Sequence, residues 1–525
     1  MVILSSTYDG SVLVARDTES LSKRLVPPMP KSSGWMSALV VTAIGAVLRL
    51  INLGQPHAII FDETYYPKDA LSLIKFGVEH ATVDGSDQKL LDYTGSIADL
   101  NIFTDAGSFI AHPPLGKWII ALGELALGPT PTGWRISVAI VGILSVLLTV
   151  RIARRLTRSN LIGVLAGLFV ALDGVHLVMS RTGLLDIILG FFVLIAFGLF
   201  LLDRDQLRQR LAKHIQEHGI SSTATLWGPK LGVRPLRWAA ALSLGLACSV
   251  KWSGIYFALA FIAMSLVWDV STRKAIGVER PWRATLLRSA PSTVAISFAI
   301  MLITYVATWS GWFLSDEGWD RNWAAGTGVL AALSSLLHYH SEMWNFHVGL
   351  TTEHAYASNP WSWLLQTRPT SFYWADIKDH SKGCEVDYCS SEVLALGNPI
   401  IWWAGILAVV YQVWRWLGKR DWRSAAVLVG IAAGWLPWMM YLNRTIFTFY
   451  TVVFMPFLAI ALAMSAAALL GPQDATPERR KRGAIAIGVL VAAVVLAAWW
   501  FYPVWTGQVI PYDQWNLRMW MPTWI

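Results

Sequence analysis

The stretch LLDIILGFFVLIAFGLFLL, residues 184–202, has one charged side chain, Asp186, in nineteen positions. A bilayer crossing needs about 20 mostly apolar residues, so this stretch predicts a transmembrane helix. The whole chain of 525 residues is 55% hydrophobic and 14% charged, whereas a soluble domain carries about 25% charged residues. This composition excludes a disordered chain, a coiled coil, a secreted disulfide scaffold and a soluble nucleic-acid binder.

Ten further stretches have the same character, so we expect an all-α polytopic membrane protein with about eleven spans. They lie at residues 36–53, 136–150, 161–179, 238–250, 253–269, 290–308, 397–414, 424–441, 446–470 and 484–503. The apolar stretch 118–127 is only about half of a crossing in length, and we expect an interfacial or re-entrant helix there.

Lysine and arginine are distributed unevenly between the segments that join these spans. With a cytoplasmic N-terminus, the inner segments hold 28 of the 42 basic side chains and the outer segments hold 13. Cytoplasmic loops carry an excess of Lys and Arg. We therefore expect a cytoplasmic N-terminus, an extracytoplasmic C-terminus and a first span that is retained rather than cleaved.

The predicted segments follow from this topology. They are a cytoplasmic tail (1–35), a transmembrane module (36–308) with a first outer loop (54–135), a second outer loop (309–396), a four-helix module (397–503) and an outer Trp-rich tail (504–525). A channel or carrier would place its polar residues near the membrane midplane. Here they concentrate in the outer loops, which favours an enzyme acting on a lipid-held substrate at the outer surface of the membrane.

Two adjacent carboxylates, Asp62 and Glu63, follow the first predicted span. A carboxylate within reach of a hydroxyl group can act as the general base that accepts its proton. The alternative is an acid pair that stabilises a helix N-terminus through the helix dipole. The residues alone leave both interpretations open.

Basic side chains near the outer ends of the spans are candidates for binding a lipid phosphate. They are Arg49, Lys117, Arg135, Arg181 and Lys251, with His112 and Asp186 close to them in the sequence. Each alone is more often a structural cap or part of an ion pair. Their concentration on one side of the membrane favours an anionic substrate.

The second outer loop contributes His347 and His354, and Arg444 precedes the tenth span. Neighbouring aromatic residues suit sugar binding, and they equally suit the membrane interface. His340 lies seven residues before His347, which one helical face explains, so we expect no metal site. Cys384 and Cys389 share this loop, and an oxidising exterior would allow them to form a disulfide; the alternative is two free thiols.

Six motifs follow one another along the chain. They are FDETYY (61–66), HPPLGK (112–117), RTGLLD (181–186), SVKWSG (249–254), PWSW (360–363) with Arg368-Pro369, and LGNP (396–399). Together they resemble the protein O-mannosyltransferases, a family with the GT-C membrane fold. The second outer loop is too short for the extra β-trefoil domain of fungal and animal members, so the chain resembles the bacterial, actinobacterial-like form.

The resemblance implies a function and roles for the site residues. Mannose would pass from polyprenyl-phosphate mannose to Ser or Thr hydroxyls of secreted polypeptides emerging from the Sec translocon. The reaction would invert the anomeric centre at the extracytoplasmic face of the plasma membrane, with no cofactor besides the lipid-linked donor. Asp62 would be the base, and Glu63 would order the site together with Arg49 and Arg135.

The remaining candidates receive roles from the same resemblance. Lys251, Lys117 and Arg181 would stabilise the negative charge that develops on the leaving phosphate. The acceptor or the loops around it would be contacted by His112, Asp186, His347, His354 and Arg444. Adjacent carboxylates can exchange roles, so the choice of base between Asp62 and Glu63 stays open.

Two other classes of protein compete with this interpretation. Another GT-C transferase would move a sugar from a polyprenyl phosphate to a lipid or glycan, but it is not expected to share both Lys251-Trp252 and the PWSW motif. A flippase for the lipid-linked sugar would need polar residues at mid-membrane, which these spans mostly lack.

Overall fold

A computed structural model describes residues 20–380, 383–472 and 474–525, and most of these residues are helical. Residues 1–19 of the predicted cytoplasmic tail lie outside the described part. In chain order the α-helices are α1 Trp35–Leu50, α2 Tyr66–Phe76, α3 Ser86–Leu91, α4 Leu115–Leu127, α5 Pro131–Thr157, α6 Asn160–Ala171, α7 Gly174–Met179, α8 Asp186–His218, α9 Pro235–Val250, α10 Gly254–Ala275, α11 Pro281–Arg288, α12 Ala290–Thr308, α13 Ser310–Leu314, α14 Val329–Gly349, α15 Pro399–Lys419, α16 Trp422–Trp435, α17 Met455–Ala468, α18 Pro477–Thr506 and α19 Tyr512–Asn516.

Seven helical stretches of the described chain are long and apolar enough to cross a membrane. They are Pro131–Thr157, Asp186–His218, Gly254–Ala275, Pro281–Thr308, Pro399–Lys419, Trp422–Met440 and Pro477–Thr506. Four shorter apolar helices, α1, α6, α9 and α17, complete the set. Each of the eleven overlaps one predicted span. The multi-span membrane protein is confirmed, while a crossing by each of the four shorter helices stays a prediction.

Two predicted spans are not continuous α-helices. The stretch 161–179 divides into α6 and α7, because the Asp173 carboxylate accepts a hydrogen bond from the His176 amide at 2.9 Å and starts a new helix there. The stretch 446–470 begins as a 3₁₀ turn, and its α-helix starts only at Met455. Pro456 then occupies the first helical turn, where a missing N–H has no cost.

Five short strands correct the strictly all-α prediction. β1 (His80–Thr82) pairs with β2 (Phe103–Gly107), and β3 (Thr370–Ile377), β4 (Cys389–Ala395) and β5 (Val509–Pro511) form an antiparallel sheet in that order. β3 alternates between buried and more exposed residues over most of its length, as a strand with one covered face does. The hydropathy criterion for spans does not detect such short loop strands.

The helices share one hydrophobic core that contains residues of both predicted transmembrane modules, from Ala38 to Trp524. α8 packs against α9, α5 packs against α6, and α17 packs against both α6 and α15. The 13 residues of α4 span about 20 Å, so this helix is too short for a crossing, as predicted from its length. α4 packs between α2 and α5, at the end of the molecule where α9 ends and α10 begins.

Candidate active site

A cavity of about 380 Å³ opens where the end of α9, the start of α10 and the end of α14 meet. It collects residues that are far apart in the sequence. Five predicted site residues line it: His112, Asp186, Lys251, His347 and Arg444. These side chains combine cationic, anionic and imidazole groups in one largely apolar recess. The cavity is therefore the candidate active site.

Lys251 supplies a fixed positive charge in the cavity wall. It follows the last residue of α9 in an extended conformation, so the chain turns there before α10. Its Nζ lies 2.8 Å from Oδ2 of Asp186, the first residue of α8, and 5.5 Å from the centre of the Tyr450 ring. The buried ammonium group thus has a carboxylate partner on one side while it lines the cavity.

Asp62 interacts electrostatically with this ion pair, although it is not one of the residues that line the cavity. It lies in the 3₁₀ turn Phe61–Thr64, and neither carboxylate oxygen forms a hydrogen bond with any residue that the structure describes. Burial raises the pKa of Asp62 to about 6, while Lys251 opposes the rise and Asp186 adds to it. Such a group is mostly ionised at neutral pH and still basic enough to accept a proton.

Glu63 has a different environment from its neighbour. It is fully buried, and its two carboxylate oxygens accept hydrogen bonds from Nε and Nη2 of Arg135 at 2.8 and 2.7 Å. The Gly183 amide donates to the same carboxylate at 2.8 Å. Arg135 also donates to the carbonyl oxygens of Pro56 and Ala58. This network fixes the turn that carries Asp62.

Arg49 and Arg181 hold helix ends and do not line the cavity. Arg49 in α1 donates to the carbonyl oxygens of Val170 and Ala171 at the end of α6, at 3.1 and 3.2 Å. Arg181 donates to the carbonyl oxygen of Arg49 at 2.7 Å and to that of Ile51 at 2.8 Å. Cations at the carbonyl ends of helices satisfy free acceptors and the helix dipole.

Lys117 is also bound within the protein. Its side chain is 1% exposed, and Nζ lies 3.1 Å from Glu79 Oε1 and 3.2 Å from Asp69 Oδ2. The structure therefore leaves Lys251 as the one member of the five predicted phosphate-binding residues that lines the cavity. We infer a positioning role for the other four.

His347 joins three separate segments around the cavity. Its Nε2 lies 2.6 Å from the Ala111 carbonyl oxygen, and Arg444 Nε donates to the His347 carbonyl oxygen at 2.9 Å. Burial and, to a smaller extent, the nearby Arg444 lower the pKa of His347 to about 4. The imidazole is therefore neutral at pH 7 and donates from Nε2. Its ring lies 5.1 Å from that of His112.

His354 lies outside the cavity, next to the turn that carries Asp62. Its ring contacts those of Phe61 and Phe447 at 6.0 and 5.0 Å between centroids. Phe61 also stacks on Phe372 of β3 at 4.7 Å. The residue before the candidate base is thus packed against the β3–β5 sheet.

Six aromatic residues that were not predicted as site residues also line the cavity. They are Trp252, Tyr256, Trp344, Trp438, Tyr441 and Tyr450. The hydroxyl groups of Tyr256 and Tyr441 lie 2.9 Å apart and connect α10 to the segment after α16. Aromatic residues at span ends also form interfacial belts, so the sequence pattern could not distinguish the two roles.

Cys384 and Cys389, the first residue of β4, form a disulfide. In the described ranges, no group of three or more His, Cys, Asp or Glu side chains is arranged to hold a metal ion. The expectation that no metal takes part stays a prediction.

Two family profiles match successive parts of the chain. Residues 39–310 match dolichyl-phosphate-mannose-protein mannosyltransferase, and residues 332–524 match the C-terminal four-transmembrane region of protein O-mannosyltransferase. The polyprenol-phosphate-mannose–protein mannosyltransferase of Mycobacterium tuberculosis is 38% identical over 513 residues, which are 95% of this chain and 93% of that protein. The enzyme of the same name from Corynebacterium glutamicum is 31% identical, with coverages of 95% and 96%.

Solved structures share the fold. The protein O-mannosyltransferase Pmt1–Pmt2 complex of Saccharomyces cerevisiae gives a TM-score of 0.68 at 14% identity and covers 97% of this chain and 94% of the matched chain. ArnT from Cupriavidus metallidurans gives a TM-score of 0.50 at 15% identity. The match covers 89% of this chain and 64% of the ArnT chain. The fold is that of the GT-C type of membrane glycosyltransferase. Within that class, the chain belongs to the protein O-mannosyltransferase family, which confirms the resemblance carried by the six motifs.

Proposed function

We propose that this chain transfers mannose from polyprenyl-phosphate mannose to Ser and Thr hydroxyls of secreted polypeptides. Family membership supports the donor and the protein acceptor, and the relatives at 38% and 31% identity carry that activity in their names. The transfer takes place in the cavity beside Asp62, on the extracytoplasmic side of the plasma membrane. Unfolded chains emerging from the Sec translocon are the expected acceptors.

The observation that carries the mechanism is a buried Asp62 carboxylate that interacts electrostatically with Lys251 and forms no hydrogen bond with a described residue. Asp62 accepts the proton of the acceptor hydroxyl, and the oxygen attacks the anomeric carbon from the face opposite the phosphate. The new C–O bond forms as the bond to the phosphate oxygen breaks, and the phosphate leaves with the electron pair. In-line displacement of this kind inverts the anomeric centre.

Lys251 and Arg444 are the cations that line the cavity. Fixed positive charges that face a developing negative charge stabilise the transition state more than the ground state. We assign both to the departing phosphate. The aromatic residues of the cavity offer flat apolar faces for the mannose ring, with tyrosine hydroxyl groups to bind its own hydroxyls.

Glu63, Arg135, Arg49, Arg181 and Lys117 position the site without touching the donor. Their polar groups bind protein partners on both sides of the Asp62 turn. We propose that they hold the base and the first outer loop in register with α8 and α9.

Replacing Asp62 with Asn tests the base directly. We expect D62N to insert and fold but to transfer mannose about 10²–10⁴-fold more slowly, since that is the usual contribution of general base catalysis. Membranes that contain the chain are incubated with radiolabelled polyprenyl-phosphate mannose and a peptide rich in Ser and Thr. The label on the peptide is then counted.

The matched control is D105N, which neutralises an exposed carboxylate of the same loop and should keep full activity. Unchanged transfer by D62N would remove the base assignment. Label that appears only in lipid or glycan would instead support another GT-C transferase.

A further inference from the structure

A second cavity of about 450 Å³ lies at the opposite end of the helices that form the active site. α9 begins beside this cavity at Pro235 and ends beside Lys251, so its 16 residues separate the two sites by about 24 Å. The second cavity also lies between the end of α10 and the start of α12. It is therefore distinct from the catalytic cavity.

The second cavity is strongly basic. Five cationic side chains line it, and one carboxylate, Asp269, accompanies them. The cations are Lys230, Arg234, Arg237, Arg273 and Arg288. Asp203 does not line the cavity, but its carboxylate accepts a hydrogen bond from Arg234 Nε at 2.8 Å and is the second carboxylate of this group. The two carboxylates leave an excess of three positive charges.

Arg273 carries a hydrogen-bond donor that the described residues leave unused. The side chain is fully buried, its two Nη atoms donate to the carbonyl oxygens of Trp227 and Pro229 and to Ser289 Oγ, and its Nε has no partner. A buried charged donor without an acceptor is energetically unfavourable. Lys230 forms no ion pair with any described residue and is exposed at the rim. The buried, unpartnered Nε of Arg273 points to an anionic acceptor, and Lys230 adds a positive charge at the rim.

We propose that this cavity binds the phosphate group of an anionic ligand. Guanidinium groups match phosphate oxygens with two parallel hydrogen bonds, and an ammonium group adds a point charge. Leu231 and the exposed side chains of Trp238 and Ile296 form the apolar part of the lining. A phosphate that belongs to a lipid can therefore place its chains along α9 and α12, while free phosphate would use the basic groups alone.

A purely topological role does not explain this arrangement. Basic residues that only orient a membrane protein can remain in water at the membrane surface. Here Arg234 and Arg237 are buried and pair with Asp203 and Asp269. Arg273 is 0% exposed and forms no ion pair with any described residue. The three buried arginines thus exceed the two buried carboxylates by one positive charge, which is unfavourable unless another anion compensates it.

Binding is measured with the full chain in a neutral detergent by native mass spectrometry and by the apparent Tm. The probes are phosphatidylglycerol, phosphatidylcholine and inorganic phosphate. The test variant K230Q/R288Q removes two exposed cations of the cavity, and the matched control K274Q/R283Q removes two exposed cations at the same end of the molecule but outside the cavity.

We expect phosphatidylglycerol to bind the unmodified chain and the control with equal affinity and to bind K230Q/R288Q about tenfold more weakly. Protection by phosphatidylglycerol alone identifies a lipid headgroup, and equal protection by inorganic phosphate identifies free phosphate. Equal weakening in both variants, or the absence of binding by both anions, would overturn the proposal. Peptide mannosylation is assayed in parallel, so a failure here is separable from a failure of the proposed function.

Discussion

At the scale of single residues, Asp62 and Glu63 show how neighbouring carboxylates acquire different roles. The Glu63 carboxylate accepts hydrogen bonds from Arg135 and the Gly183 amide, whereas the Asp62 carboxylate has no hydrogen-bond partner among the described residues and interacts electrostatically with Lys251. A carboxylate whose lone pairs are already occupied is a poor proton acceptor. The geometry therefore favours Asp62 as the base, a choice that the sequence leaves open.

The raised pKa of Asp62 predicts the pH dependence of transfer. The base acts only when ionised, so kcat/KM should fall about tenfold per pH unit as the pH drops below about 6 and level off above it. The profile is measured between pH 4.5 and 8 with labelled donor and peptide. D105N should show the same fall of kcat/KM at low pH, whereas the residual activity of D62N should not. A rate that is constant from pH 5 to 7.5 would contradict the assignment.

At the scale of elements, the turn after α1 depends on a partner in α5. Arg135 lies near the start of α5 and reaches back 72 residues along the chain to Glu63. Both side chains are 0% exposed. A buried pair of this kind contributes little net stability when complete, but removal of one partner leaves an uncompensated charge.

We expect R135M to lower stability by about 3–5 kcal/mol and to reduce transfer together with it, because Glu63 is left buried and unpaired. The apparent Tm and the mannosylation rate are measured on the same preparation. The double variant E63Q/R135M should recover part of the lost Tm. If E63Q alone abolished transfer with an unchanged Tm, Glu63 would have to be regarded as the base.

The sequence predicts some elements of this fold better than others. Most apolar helices are placed correctly because each predicted span is a long run with at most one charged side chain, and the six motifs identify the family. The break at Asp173 is not predicted, since a single Asp in an apolar run gives no sign that it will cap a new helix. Four of the five proposed phosphate-binding cations bind protein groups instead, because their partners are distant in sequence and meet them only in the fold.

At the scale of the whole molecule, two polar sites lie at opposite ends of one apolar helical body. The cavity around Lys251 marks one end, and the basic cavity around Arg273 marks the other. The distribution of Lys and Arg predicts that the first end faces the exterior.

Cysteine labelling tests this orientation. In a C248S background, D105C should react with a membrane-impermeant maleimide on intact cells, whereas E279C should react only after permeabilisation. Both positions are exposed, and the two other cysteines are already joined in a disulfide. The reverse labelling pattern would invert the topology and place the catalytic cavity in the cytoplasm.

The β3–β5 sheet has a consequence for biosynthesis. β4 completes its pairing only with Val509–Pro511, which the ribosome adds after every membrane helix. β3 of the same sheet supports Phe61, the neighbour of Asp62. Until translation passes residue 511, β4 has an open edge and the support behind the catalytic turn is incomplete. We therefore expect the site to be complete only after the last helix has been inserted.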